Sequence, residues 1–217
     1  MNRPARTSRT VAAALAAALG AADAAGGAEA AAPHRADYGS LWIAPAARTA
    51  FDWRGPDGVP SQSWSDRHLA AGAGASIAGA VTPELAVGLR GGLWVSGAEV
   101  DIEEAGRRLR IATPWGTEVR AFLGWHPDPR WSLEFSAGWG GAEFEVETER
   151  PDGSGLSSKT FVDMAVYGAA AQFRVAADWS LRAEVVTMRS SRLTWDDGQR
   201  LTATTTTLRT GAVYHFR

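Results

Sequence analysis

The sequence predicts an all-β protein, an eight-stranded antiparallel up-and-down β-barrel that spans a membrane and is preceded by a signal peptide. Three observations support this fold. Apolar residues recur at every second position over most of the chain, which is the period of a strand. Gly and Trp are both abundant, at 24 and 10 of 217 residues, a composition typical of strands at a membrane interface. The connections between the alternating segments are short and long in turn.

The N-terminal residues have the pattern of a secretory signal peptide. Three arginines precede an Ala-rich apolar run, Val11 to Ala25, which is too short for a spanning helix. The second of two Ala-x-Ala sites places the mature N-terminus near Ala31, and the first site is the alternative. A retained Ala-rich helix is the competing interpretation. The predicted division is a signal peptide over residues 1–30 and a barrel over residues 31–217.

Eight segments then alternate between an apolar face and a more polar face. In the fourth segment, Trp115 and Trp125 stand at the two ends of one aliphatic face. Such a face fits a slab of hydrocarbon with an aqueous interface on each side. The predicted strands cover residues 40–53, 67–80, 85–97, 114–125, 131–147, 160–175, 180–193 and 202–216.

The fifth segment changes the parity of its apolar residues. Phe135 and Trp139 occupy odd positions, whereas Phe144 and Val146 occupy even positions. The Gly140–Gly141 pair between them predicts a β-bulge, which would exchange the two faces of the strand.

The connections alternate strictly in length. Those at residues 81–85, 126–130 and 176–179 are short and turn-like, whereas the others, including the long stretch between residues 97 and 114, are longer or more polar. This asymmetry describes a closed barrel with the short turns and both chain ends on one side. Closure matters because lipid offers no hydrogen bonds to an unpaired strand edge.

A soluble eight-stranded barrel of the lipocalin kind is the alternative fold, because it would alternate in the same way. Its apolar face would point inward. Side-chain size favours a membrane barrel over a soluble one. Apart from their charged residues, the charged faces are rich in Gly, Ala and Ser and fit a narrow lumen, whereas most bulky apolar residues lie on the other faces. Trp94 and Phe122 are exceptions, because they share the charged faces.

The C-terminal segment carries the most specific motif. It reads "LRTGAVYHFR", with an aromatic at Phe216 and another two residues earlier at Tyr214. With its signal peptide and eight alternating segments, the chain resembles, over residues 38–217, the small outer-membrane β-barrel superfamily of Gram-negative bacteria, the OmpA-like transmembrane domain and its porin-family relatives. The resemblance implies a location in the outer membrane and recognition of Tyr214 and Phe216 by the outer-membrane assembly machinery. Arg217 departs from the pattern, because the family commonly ends on the aromatic residue.

The charged faces predict a network inside the lumen. Unpaired charges in so narrow a space are costly, so we expect interlocking pairs of arginines and carboxylates. The network would act as a structural plug that fixes strand register, or alternatively as a narrow ion path or gate. The predicted members are Arg48, Asp52, Arg90, Glu118, Arg120, Glu134, Gln172, Arg174, Arg182, Glu184 and Arg209.

Composition argues against several other functions. The net charge is −2 and no Lys/Arg cluster appears, which argues against a nucleic-acid partner. With 0 cysteines the chain has no thiolate ligand or catalytic thiol. No His/Asp/Glu cluster has the spacing of metal ligands, so we expect neither a metal nor a cofactor.

A catalytic site has one candidate cluster near the outer rim, formed by His68, Ser63, Ser65 and Asp66. It has no His-x-Ser pair on a strand, and we expect that the protein is not an enzyme. His126 and His215 belong to the opposite, periplasmic end of the barrel.

The sequence therefore predicts an integral outer-membrane barrel with a structural or surface-interaction role. A narrow passive channel is the first alternative, and an outer-membrane enzyme that modifies lipid A is the second. Outer-membrane lipid and the assembly machinery are the expected partners. Polar loops such as "GPDGVPSQS" and "RPDGSGLSS" have the composition of surface segments that contact host molecules or other cells.

Overall fold

The computed structural model describes residues 38–54, 61–104, 107–149, 155–194 and 200–216. The predicted signal peptide lies outside these residues. Nearly all of the described chain forms antiparallel strands. The strands are β1 (Tyr38–Arg54), β2 (Gln62–Ala80), β3 (Leu85–Glu104), β4 (Arg107–Trp125), β5 (Trp131–Glu149), β6 (Gly155–Arg174), β7 (Trp179–Ser190), β8 (Leu193–Thr194) and β9 (Arg200–His215).

The sheet closes on itself. Each strand from β1 to β6 pairs with the next along the chain, and β9 pairs with both β7 and β1. The two-residue strand β8 continues β7 after a short interruption and also pairs with β9. The predicted eight-stranded antiparallel up-and-down barrel is confirmed, with β7 and β8 together forming one of the eight. Of the described segments, none is a helix long and apolar enough to cross a bilayer.

The strands are about twice as long as a bilayer requires. Strands β2 to β6 each have 19 or 20 residues, which at about 3.3 Å per residue is roughly 63 Å along the strand. About 9–11 residues suffice to cross the hydrocarbon. The predicted long loop between residues 97 and 114 is wrong, because β3 and β4 remain paired from Ala98↔Thr113 to Glu104↔Arg107.

The two halves of the barrel have opposite polarity. Near the short turns, large apolar side chains point outward and form what we call the lipid belt, whereas beyond it the charged residues point outward and the apolar residues point inward. We call this second half the outer wall, residues 46–54, 62–68, 97–104, 107–113, 142–149, 155–160, 187–194 and 200–207. The belt consists of Leu41, Ile43, Leu69, Ile77, Val87, Leu89, Leu93, Trp115, Val119, Leu123, Trp125, Phe135, Trp139, Phe161, Tyr167, Leu181, Val185 and Leu208.

An apolar cluster fills the inside of the outer wall. Its fully buried members include Phe51, Ile111, Phe144, Met188 and Leu201, and Trp94 and Val166 extend it toward the belt. The inversion follows from the surrounding medium. Lipid covers the outer face of the belt, so most charges there turn inward, and the exposed Asp163 between Phe161 and Tyr167 is an exception. Water covers the outer face of the wall, so charges there turn outward.

This inversion explains β5 and corrects its predicted bulge. The register of β5 with β6 is unbroken from Trp131↔Phe173 to Glu149↔Gly155, and the even positions of β5 face the lumen throughout. The predicted β-bulge at Gly140–Gly141 is wrong. The apolar residues change parity because the strand passes from lipid into water.

Two prolines do interrupt the register. The pairing of β1 with β2 shifts between Ala44 and Ala47, around Pro45, and the pairing of β4 with β5 shifts between Ala112 and Gly116, around Pro114. Proline has no N–H to donate to the ladder, so it is tolerated at such irregularities. Beyond each one the inward-facing parity changes.

The bulge at Pro45 moves two predicted lumenal residues to the outside. Past it, Thr49 and Phe51 are buried in the lumen, and Arg48 and Asp52 are exposed on the outer face. The prediction that Arg48 and Asp52 face the lumen is wrong for this reason. Arg48 donates a hydrogen bond to Ser65 Oγ (3.3 Å), and Asp52 accepts one from Ser63 Oγ (2.6 Å).

Candidate functional site

Seven charged side chains meet inside the barrel, at the level of the lipid belt. Five strands supply them, and alternation along each strand turns them inward. They are at most 8% exposed. We call them the lumenal network: Arg90 from β3, Glu118 and Arg120 from β4, Glu134 from β5, Arg182 and Glu184 from β7, and Arg209 from β9.

Glu184 is the centre of the lumenal network. Its Oε1 accepts hydrogen bonds from Arg90 Nη1 (3.1 Å), Arg120 Nη1 (2.9 Å) and Arg182 Nη2 (3.0 Å). Its Oε2 accepts a further bond from Arg120 Nη2 (3.3 Å) and lies 3.8 Å from Arg209 Nη1. One carboxylate therefore links side chains from β3, β4, β7 and β9.

The other two carboxylates are shared as well. Arg209 donates two hydrogen bonds to Glu118, of 2.7 and 3.0 Å, and Arg120 donates a third of 2.9 Å. Glu134 accepts bonds from Arg182 Nη1 (2.8 Å), from Arg90 and from the hydroxyl of Tyr38. Paired, charge-assisted bonds of this kind offset the cost of burying the ions.

The lumenal network has four arginines and three carboxylates, and aromatic rings contact some of the arginines. The Arg209 guanidinium lies 4.0 Å from the centre of the Trp42 ring, and that of Arg90 lies 5.1 Å from the Phe122 ring. Such cation–π contacts attract a guanidinium group to the face of the ring. Tyr38 and Trp42 belong to the site but were missed by the sequence analysis, which considered only charged and amide side chains.

Glycines make room for the inward aromatic rings. Trp42 pairs with Gly72, Trp94 with Gly116 and Phe122 with Gly88, and a Cβ added at any of these glycines would collide with the facing ring. Trp94 and Phe122, the exceptions to the predicted faces, therefore lie flat across glycines of the neighbouring strand. A glycine in register with an inward aromatic residue is the signal that would have identified them.

Two small cavities lie in the lumen. A cavity of about 20 Å³ is lined by Trp42, Glu118, Arg182 and other network residues, and one of about 30 Å³ lies at the end with the short turns. Each has room for about one water molecule. The apolar cluster of the outer wall lies directly beyond the network, so charge and hydrocarbon fill the lumen in two layers.

Gln172 and Arg174 lie apart from the network, at the short-turn end. Gln172 Nε2 is 3.2 Å from His215 Nε2, and Ser180 Oγ is 2.8 Å from the same nitrogen. Arg174 is partly buried and lines the larger cavity with Arg130 and His126. The structure thus brings together seven of the predicted residues, puts these two at one mouth, and puts Arg48 and Asp52 outside.

The candidate catalytic residues do not converge. His68 points into the lumen and is buried, with Nδ1 3.6 Å from Asp66 Oδ2. Ser63 and Ser65 lie on the opposite, outer face of the same strand, where they bond Asp52 and Arg48. A nucleophile and its base need hydrogen-bond contact, which this arrangement does not give. Within the described ranges, no group of three or more His, Asp or Glu side chains could hold a metal ion.

Aromatic rings surround the short-turn end of the belt. The Tyr214 ring contacts Trp179 (5.1 Å between centroids) and Phe216 (5.8 Å), and the Trp131 ring contacts Phe173 (4.9 Å). Aromatic girdles of this kind mark the interface of lipid and water. Tyr214 and Phe216 thus lie at that interface; Arg217 is outside the described residues.

Closure, the outward apolar belt, the aromatic girdle and the charged lumen together define a transmembrane β-barrel of the outer-membrane class. In that class the short turns face the periplasm, so the outer wall projects from the cell.

Comparison with known proteins gives similarity of structure only. No protein-family model matches the chain, and no curated protein sequence matches it. Similar solved structures include Ail, the attachment invasion locus protein of Yersinia pestis, with 15% identity over 82% of this chain and 99% of that one, at a TM-score of 0.42. The outer-membrane protease OmpT from Escherichia coli has 11% identity over 87% and 99% of the two chains, at 0.44. A major outer membrane protein from Thermus thermophilus has 12% over 82% and 99%, at 0.45.

Proposed function

We propose that this protein is a non-conducting outer-membrane barrel that holds its surface loops above the membrane on a rigid outer wall. It takes part in surface interactions through those loops and does so without catalysis. Its proposed partners are outer-membrane lipid, the outer-membrane assembly machinery acting on Tyr214 and Phe216, and an external ligand at the loops.

The observation that carries this proposal is the two-layered filling of the lumen. An ion crossing the barrel would have to displace buried apolar side chains such as Phe144, Met188 and Leu201 and then enter a network whose carboxylates are already shared. Burial of an ion among apolar side chains is costly, and so is the rupture of a buried ion pair. A structural plug is therefore favoured over the channel.

The outside of the outer wall supports the second half of the proposal. Arg110 bridges Glu99 (2.7 Å) and Glu147 (3.2 Å), and so links β3, β4 and β5. Arg108 Nε donates to Asp101 (2.8 Å) in the next row of β3 and β4. Cross-strand ion pairs and continuous hydrogen-bond ladders stiffen the wall beyond the lipid. The ends of the strands from which the loops leave are therefore held at a fixed height.

Planar-bilayer recording tests the proposal directly. The refolded mature chain should give no discrete conductance steps. A triple variant, Phe144→Gly, Met188→Gly and Glu184→Gln, opens the apolar layer and breaks the lumenal network, and it should conduct ions. Discrete, reproducible steps from the unmodified chain would contradict the plug and favour the channel. Lipid A acylation should be the same in cells with and without the protein, and a change abolished by His68→Ala would instead identify an enzyme.

A further inference from the structure

The outer wall has two flanks of opposite charge. The outward faces of β3 to β6 carry mostly carboxylates, whereas those of β7 to β9, β1 and β2 carry mostly arginines. The acidic flank has Glu99, Asp101, Glu103, Glu143, Glu145, Glu147 and Glu149 against Arg108, Arg110 and Lys159. The basic flank has Arg48, Arg54, Arg67, Arg189, Arg192 and Arg200 against Asp52.

Three arginines of the basic flank share two adjacent rows of the sheet. In the lower row, Arg67 of β2 pairs with Arg48 of β1, Arg48 with Thr206 of β9, and Thr206 with Thr187 of β7. In the upper row, Thr204 of β9 pairs with Arg189 of β7. Neighbouring strands are about 4.8 Å apart, so these guanidinium groups and threonine hydroxyls lie within reach of one small anion or two. We call this set the arginine patch: Arg48, Arg67, Arg189, Thr187, Thr204 and Thr206.

The arginine patch lies directly above the lipid belt. The next outward residue toward the membrane is Leu69 on β2, Leu208 on β9 and Val185 on β7, which are 46%, 54% and 49% exposed. A molecule that touched both levels would need acyl chains below and an anionic group above.

The patch contains no carboxylate of its own, and the exposed Asp163 of β6 lies diagonally across the sheet from Arg189. Among the described residues, no carboxylate forms an ion pair with Arg48, Arg67 or Arg189, and the hydrogen bond from Arg48 goes to Ser65. The three cations of the acidic flank differ, because Arg108, Arg110 and Lys159 are each paired with one or more carboxylates. Like charges directly opposite on neighbouring strands are destabilising. The Arg48–Arg67 pair therefore favours an external anion.

We propose that the arginine patch binds the phosphate of a phosphorylated outer-leaflet lipid whose acyl chains lie against Leu69, Leu208 and Val185. Arginine presents a planar fork of donors that suits phosphate oxygens, and threonine hydroxyls supply further donors. The acidic flank would face the same leaflet without such a contact. The barrel would then hold the phosphate of a bound lipid on its basic flank only.

The test compares two triple variants with the same change in charge. Wild type, R48Q/R67Q/R189Q and the control R108Q/R110Q/K159Q are refolded in zwitterionic detergent, checked for heat-modifiable migration, and titrated with bisphosphorylated lipid A by native mass spectrometry. Loss of three arginines beside an anionic surface should weaken binding by a factor on the order of 100 in the patch variant. The control should bind as the wild type does. If the patch triple does not fold, the single variants R67Q and R189Q should each weaken binding several-fold.

Four outcomes would overturn the proposal. An equal loss of lipid A affinity in the two triple variants would show that only the net charge of the barrel matters. Dephosphorylated lipid A binding as tightly as lipid A would remove the role of phosphate, and inorganic phosphate binding as tightly as lipid A would remove the role of the lipid. Association of the wild type into oligomers that only the patch variant abolishes, without retained lipid, would identify the acidic flank of a second copy as the occupant.

Discussion

Replacement of Glu184 by glutamine should strongly destabilise the barrel while preserving the shape of the side chain. Glu184 Oε1 and Oε2 accept bonds from three arginines, and the glutamine amide keeps one acceptor oxygen. Oε1 accepts three of the four bonds and Oε2 accepts one, so the amide nitrogen removes between one and three charge-assisted bonds, each contributing about 1.5–3 kcal/mol, and four arginines then meet two carboxylates. The free energy of unfolding should fall by about 3–5 kcal/mol.

Urea titration in lipid vesicles measures this change, with fluorescence from the 10 tryptophans as the signal. For a slope of roughly 2 kcal/mol per molar urea, the midpoint should fall by about 2 M. Glu145→Gln is the matched control, because Glu145 makes its ion pair on the water-covered outer wall with the exposed Lys159, and its midpoint should not move measurably. A shift below about 0.5 M for Glu184→Gln would refute the view that Glu184 holds the lumenal network together.

Two further predictions concern packing and the outer wall. Gly116→Ala should destabilise the barrel by about 1–3 kcal/mol, because the new Cβ collides with the Trp94 ring. Gly91→Ala is the control and should be neutral in the same urea assay, because the nearest atom to its new Cβ is 4.0 Å away. Equal effects of the two substitutions would contradict the packing argument. The second prediction concerns the ion pair of Asp101 and Arg108. The hydrogen bond from Arg108 holds the pKa of the Asp101 carboxyl below its usual value. The ion pair therefore contributes its full stability at a pH above the usual pKa of aspartate and loses it as the pH falls through the lowered pKa. NMR titration of the Asp101 carboxyl should report this, and Arg108→Gln should return the pKa toward about 3.9; an unchanged pKa would exclude the bond.

The alternation of residue types was sufficient to predict the barrel and most of the lumenal network. Arg90, Glu134 and Arg209 each sit on a strand with uninterrupted parity between the residue and the belt, so the faces could be assigned by counting. Arg48 and Asp52 could not, because Pro45 inserts a residue between them and the belt. The proline itself was the available signal, since it is confined to strand edges and bulges.

The outer wall escaped sequence analysis for a different reason. Simple alternation implies one medium for each face of a strand, whereas the outer face of β5 passes from lipid at Trp139 to water at Glu145. The pattern was therefore interpreted as a bulge in β5 and as a long loop between β3 and β4. Which carboxylate each arginine contacts also depends on strand tilt and register across the lumen, which no local pattern contains.

The inversion of polarity fixes how deeply the barrel sits in the membrane. If the barrel moved outward by two residues, Phe135 and Leu123 would move toward the water on the periplasmic side, with no new lipid contact at the other end. If it moved inward, Glu145 and Lys159 would enter the lipid. A charged side chain on the lipid face becomes steadily more costly with depth, by up to about 2–4 kcal/mol at the midplane. The sequence thus encodes a vertical position as well as a shape, and the height of the outer strand ends above the bilayer follows from it.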